Sequence, residues 1–180
     1  MKRIYQPAED SYLLSNVLKK EIPKLLKQNP NLTFLEIGCG SGINLQTALK
    51  AGIKKQNIFA GDINPKAVEH CKELGFNSIH SNLFQNIKQN NFDIIIFNPP
   101  YLPENKDEPL NSQLATTGGK NGSEILNKFL DQASNYLKKQ GKIYIITSSL
   151  TKDIDFRDFK KILLDEKSLF QEKLFCWKLE

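Results

Sequence analysis

At 180 residues with 39% apolar side chains, the chain suits one domain, residues 1–180, with a full core. No apolar run approaches the roughly 20 residues of a membrane span, and the opening Met1-Lys2-Arg3-Ile4-Tyr5-Gln6-Pro7 has no apolar stretch of signal-peptide type. The net charge of +5 is dispersed in pairs such as Lys54-Lys55 and Lys160-Lys161, a pattern of solvated surface more than of a nucleic-acid tract. Cys39, Cys71 and Cys176 are odd in number and far apart; no metal site is expected, and free thiols fit a reducing cytoplasm.

In chain order, Tyr5 to Ser11 reads as an ordered loop feeding a helix. Asp10 or Ser11 is placed to cap it, and Leu13, Leu14, Val17 and Leu18 share one face. Pro23 is expected to interrupt that helix, with a second short turn beyond it ending at Asn29-Pro30. Two carboxylates, Glu9 and Asp10, stand at the helix start after a proline. Thr33 to Ile37 is a short strand, then Gly38-Cys39-Gly40-Ser41-Gly42 leads into a helix from Ile43 to about Leu49.

A glycine-rich turn between strand and helix lets a ligand approach the backbone, with helix amides aimed at it. A dinucleotide fingerprint would want Gly or Ala at position 43, where Ile43 stands. A Gly-x-Gly-x-Gly turn preceded by an acid better suits S-adenosylmethionine, whose ammonium Glu36 would attract. The second strand, Asn57 to Gly61, runs into Asp62-Ile63-Asn64-Pro65, where Asn64 caps the next helix and Pro65 takes its first position. Asp62 follows Glu36 by 26 residues, near the spacing at which an acid reaches a ribose hydroxyl pair. Ile63 would then lie against a flat adenine.

A helix from Ala67 to Leu74 stops at Gly75, and Asn77-Ser78-Ile79-His80 is a short third strand. Asn82, just after it, has a carbonyl suited to an adenine amine. Phe92 to Phe97 is an apolar, β-branched run that reads as a buried parallel strand. It ends at Asn98-Pro99-Pro100-Tyr101, a stiff extended corner at the carboxyl end of a central strand, where open α/β sheets place their ligands. The Asn98 side-chain oxygen and Pro99 carbonyl are two acceptors beside the flat ring of Tyr101, a set suited to a planar substrate carrying NH2. From Tyr101 to Gly122 little periodicity is visible, so a substrate-binding lid is expected. A helix from Ser123 to about Leu137 and a fifth strand from Lys142 to Thr147 follow. Thr151 to Arg157 leaves hardly any room for a crossover helix. Phe159–Leu164 and Lys173–Leu179 are expected to pair antiparallel and close the sheet.

Together these features resemble the class I S-adenosylmethionine-dependent methyltransferases. The opening Tyr5-Gln6-Pro7-Ala8-Glu9-Asp10-Ser11-Tyr12-Leu13-Leu14 closely resembles the short archaeal and eukaryotic branch of HemK-type release-factor glutamine methyltransferases. The resemblance implies an α/β fold: a seven-stranded Rossmann-like sheet with helices on both faces and an antiparallel last strand. It implies cofactor contacts at Ser11, Glu36, Gly38, Gly40, Asp62, Ile63, Asn82, Leu83 and Asn98. Amide binding and catalysis fall on Asn98, Pro99 and Tyr101. The implied partners are a class 1 translation release factor, as substrate, and a small zinc-binding activator subunit docked by strand addition near Phe76 to His80, helped by Phe59. The family usually has Asp where Asn82 stands, and often Trp-x-Gly-Gly where Thr116-Thr117-Gly118-Gly119 stands. An adenine N6-methyltransferase acting on tRNA, rRNA or DNA would use the same corner, and a catalytically silent scaffold of this fold is the third alternative.

Overall fold

A computed structural model describes residues 4–105, 107 and 109–180. Five strands run side by side in one direction, and each connection between them carries a helix except that from the third to the fourth, a loop over 81–91. They are β1 (Phe34–Ile37), β2 (Ile58–Asp62), β3 (Asn77–His80), β4 (Phe92–Phe97) and β7 (Leu137–Ser148). All are parallel neighbours in a seven-stranded sheet of order β3-β2-β1-β4-β7-β9-β8. The last two, β8 (Lys161–Ser168) and β9 (Lys173–Leu179), form a hairpin, and β9 runs antiparallel between β7 and β8.

Period-two alternation splits the sheet's side chains between two cores. Phe34, Ile94, Ile96 and Tyr144 face α1 (Glu9–Leu26), α2 (Ile43–Lys50) and Cys71 of α3 (Pro65–Glu73). Leu35, Ile95, Phe97, Ile143 and Ile145 face α5 (Glu124–Ala133) on the other side. The stretch from β7 to β8 contains no helix. Ile154, Phe156 and Phe159 of that loop pack onto the same face as α5, covering apolar area that a crossover helix would otherwise cover.

Four expectations need correction. Pro23 does not interrupt the first helix: α1 runs through it as one element. Pro23 is exposed, so the carbonyl it frees is left to water, while Leu14, Leu18 and Ile22 are fully buried and hold the helix in register. The cap of α1 is Ala8, without a side-chain hydrogen bond, because Asp10 is engaged elsewhere. The lid is not structureless. It carries α4 (Leu110–Thr116) and a small parallel pair of β5 (Leu102–Pro103) with β6 (Thr117–Gly119). Finally, α5 ends at Ala133 and the chain enters β7 at Leu137, which pairs with Phe92.

Candidate active site

The carboxyl ends of β1, β2, β3 and β4 surround a cavity of about 390 Å³. Its floor is the turn after β1. Gly38, Gly40 and Gly42 have φ of 71°, 48° and 75°, the left-handed region where a Cβ is strained. Gly38 and Gly42 need the space as well: a Cβ on the first would meet the Phe97 ring at 3.3 Å, and one on the second would meet Leu74 at 3.1 Å. Asp62 holds this turn in place. One oxygen accepts the Gly40 N–H at 2.9 Å and the other the Asn64 N–H at 2.7 Å. Burial raises its carboxyl pKa despite those donors. Asn64 in turn accepts from the Lys66 N–H and caps α3, with Pro65 at its start, as expected.

Glu36, 2% exposed, lies on β1 beneath the turn. Asn44, in the first turn of α2, donates to its Oε1 at 2.9 Å, while Oε2 has no hydrogen-bond partner. Burial holds this carboxyl well above the usual carboxylate range, and the Asn44 donor only partly opposes it. A buried acid of this kind calls for a cationic or donor ligand. Beyond Asp62, Ile63 lines the cavity yet is 41% exposed, an apolar side chain left for a flat ligand to cover. Asn82 and Leu83 form the facing wall. Leu83 has φ of 49°, and Ser81 fixes that turn by donating to the Leu83 carbonyl at 2.8 Å and accepting from the Asn86 N–H at 3.0 Å.

Asn98 and Pro99 line the opposite end. The Asn98 side-chain oxygen is buried and has no hydrogen-bond partner. A buried amide acceptor left so costs about 1–3 kcal/mol unless a donor arrives. The main chain of the corner is closely flanked. Thr151 Oγ1 donates to the Tyr101 carbonyl at 2.8 Å. Gly118 and Gly122 pass so near the Pro100 and Tyr101 carbonyls that no side chain fits at either glycine. This gives the lid glycines a physical role independent of any tryptophan before them.

The family description "Methyltransferase small domain" matches residues 11–162. A Methanocaldococcus jannaschii protein assigned as a protein N5-glutamine methyltransferase is 44% identical over 156 residues, covering 82% of this chain and 74% of the relative. The chain belongs to this methyltransferase family. The Schizosaccharomyces pombe eRF1 methyltransferase catalytic subunit mtq2 is 31% identical over 173 residues, covering 83% of this chain and 74% of that one. Among solved structures, the E. cuniculi Mtq2–Trm112 complex shares the fold with a TM-score of 0.70 at 23% identity, over 98% of this chain and 97% of that one.

In this methyltransferase the sequence-derived residues come together with one exception. Ser11, Glu36, Gly38, Gly40 and Asp62 line the cavity, as do Ile63, Asn82, Leu83, Asn98 and Pro99. Tyr101 does not line it. Its ring packs against the core on the α1 side, and its hydroxyl donates to Asp10 Oδ2 at 3.3 Å. Tyr101 therefore offers no flat plate beside Asn98. The sequence reading also missed Tyr5, Asn44, Ser81 and Lys128, all lining the cavity. Asn44 carried a usable signal, a polar side chain in the first turn of the helix after the glycine turn. Lys128 carried none, being one polar position on the helix α5.

Proposed function

We propose that this protein transfers a methyl group from S-adenosylmethionine to the side-chain amide nitrogen of a glutamine in a class 1 translation release factor. The observation that carries the reading is the buried, unpartnered Asn98 oxygen at the end of β4, an acceptor that lacks only an N–H. The relatives fit it: the S. pombe protein is named for methylating eRF1, and the E. cuniculi complex is responsible for the methylation of that termination factor.

The cavity's residues fit the cofactor along its length. Glu36 would receive the ammonium, the Gly38–Gly40 backbone the amino-acid carboxylate end, Asp62 the ribose hydroxyls, Ile63 and Leu83 the adenine faces, and Asn82 the adenine amine. Ser11 closes the amino-acid end. The bound cofactor supplies an electrophilic methyl group on a sulfonium. An amide nitrogen is a poor nucleophile because its lone pair is delocalised into the carbonyl. The Asn98 oxygen and the Pro99 carbonyl accept the two N–H bonds of the glutamine and hold its nitrogen in line with the methyl. Positive charge growing on nitrogen strengthens both bonds, which is where preorganised acceptors accelerate a reaction. Alignment adds the proximity contribution. The proton leaves after transfer, so no base is needed beforehand.

The partner reading rests on the sheet edge. β3 is the edge strand, with Asn77, Ile79 and His80 exposed and no Lys or Pro guarding it. Phe76 is buried in the core and supports the strand from inside, while Phe59 packs edge-on to Phe92 and stays partly exposed beside the edge. We assign this edge to a small zinc-binding activator that extends the sheet. Ile79→Lys is expected to abolish co-purification with it; retained co-purification would move the partner elsewhere. No helix among the described residues is long and apolar enough to cross a membrane.

The deciding assay incubates the protein with labelled cofactor and either purified release factor or total tRNA. Label on the release factor, mapped by mass spectrometry to one glutamine, is expected. Label on tRNA alone would replace the glutamine with an adenine amine.

A further inference from the structure

Asp10 is a buried carboxylate that the proposed chemistry leaves without a task. It is 4% exposed and stands in the first turn of α1. Tyr5 Oη donates to its Oδ2 at 3.0 Å and Tyr101 Oη donates to the same oxygen at 3.3 Å. Its Oδ1 accepts from the Ser11 hydroxyl at 3.1 Å and from the Ser11 N–H. Among the described residues no cation pairs with it; the nearby Lys167 goes to Glu9 at 3.9 Å. Burial and the adjacent Asp10 carboxylate push both phenols' pKa up, so both remain donors at any working pH.

Two of these donors, Tyr5 and Ser11, line the cavity, whereas Tyr101 is the last residue of the Asn98-Pro99-Pro100-Tyr101 corner. One buried oxygen therefore joins the amino-terminal loop to the corner, 91 residues later in the chain. We infer that Asp10 is a positioning residue for the amide-binding corner, acting through the Tyr101 hydroxyl to fix the Asn98 oxygen and the Pro99 carbonyl. The inference rests on the reading of that corner given above.

A carboxylate is needed at this point because it accepts on both oxygens. An asparagine keeps an acceptor on one side only. Turned to the Ser11 N–H, its NH2 sets donor against donor; turned to the tyrosines, it forces both hydroxyls to accept and to give up the bonds they donate. Hydrogen bonds to an ionised acceptor are also roughly twice as strong as neutral ones. Pro99 and Pro100 make the link stiff, so a displacement of Tyr101 is carried back to Asn98 rather than absorbed by bond rotation.

The test uses Asp10→Asn, Tyr101→Phe and the double variant, assayed on the release factor with calorimetry of S-adenosylhomocysteine alongside. Each single variant is expected to lower kcat by roughly tenfold to a hundredfold, the scale of a small misplacement of reacting groups. Product affinity of Tyr101→Phe should stay within about threefold of wild type, and the double variant should be no worse than Asp10→Asn alone, as coupled neighbours behave. Unchanged kcat in both singles, a parallel loss of product affinity in Tyr101→Phe, or additive losses would each overturn the inference. Should Asp10→Asn fail to fold, Tyr101→Phe decides by itself, since it removes only the hydroxyl.

A readout free of turnover separates this inference from the substrate reading. In wild type the Tyr101 hydroxyl proton is expected as a slowly exchanging NMR signal; in Asp10→Asn it should vanish, and the Asn98 side-chain amide resonances should shift. Unshifted Asn98 resonances would overturn the positioning role even with an active enzyme. A wild-type protein that passes this test but leaves the release factor unmethylated would overturn only the choice of substrate.

Discussion

The two ends of the cavity are built on different principles. At the cofactor end every contact except Ser11 on α1 is made within a few residues of a strand terminus. Gly38 to Gly42 follow β1, Asp62 closes β2 and bonds Asn64, and Ser81 ties Leu83 after β3. At the acceptor end the corner after β4 is held by residues from the start of α1, the lid and the β7–β8 loop: Asp10, Gly118, Gly122 and Thr151. The first end is a set of local turns that a parallel sheet brings side by side. The second depends on the whole chain being folded. Binding and chemistry are therefore separable, and substitutions at the two ends should affect different observables.

The largest expected effect is at the acceptor end. Asn98→Ala should lower turnover by about 100-fold or more while cofactor affinity stays within a few-fold, as for loss of one preorganised contact to developing charge. Single-turnover rates and calorimetry measure the two quantities separately. A joint collapse would mean that Asn98 supports the cofactor end as well, and the comparison would fail.

Asp62→Ala should do the reverse. It removes a charged acceptor for the ribose and also the acceptor of the Gly40 and Asn64 N–H groups. Cofactor affinity should fall by the equivalent of roughly 1.5–3 kcal/mol, the range for a hydrogen bond to a charged group. Turnover extrapolated to saturating cofactor should survive in large part. An unchanged dissociation constant would take Asp62 out of the site.

The smallest effect sharpens the comparison within the cofactor end, where binding is set against stability. Burial raises the Glu36 pKa in the folded chain, so the folded state keeps a proton that the unfolded state gives up. Stability therefore falls as pH rises from the unfolded value near 4.5 toward the raised folded value, and the penalty is fully present above it. Glu36→Gln removes this group while leaving an acceptor for Asn44. Without cofactor, the variant should melt higher than wild type at neutral pH, and the gap should close at about pH 4. It should also bind cofactor more weakly. Melting curves over pH that ran parallel would show that the raised pKa has no thermodynamic weight.

Much of the sheet and of the cofactor end was fixed by local sequence. Apolar β-branched runs at Phe92–Phe97 and around Ile143, the Asn64-Pro65 cap and the Gly75 stop need only short-range sterics and hydrogen bonding to act. The glycine turn with Glu36 and Asp62 is legible for the same reason: backbone geometry and charge are properties of a few adjacent residues. Tertiary structure decided the rest. Pro23 stays helical because one face of α1 is buried and the proline is not. Phe76 is core, not interface, because α3 turns it inward beside β3. Tyr101 leaves the cavity because a carboxylate 91 residues earlier in the chain accepts its hydroxyl. A contact of that separation has no signature in either neighbourhood, since neither tyrosine nor aspartate reveals its partner until the fold has brought them together.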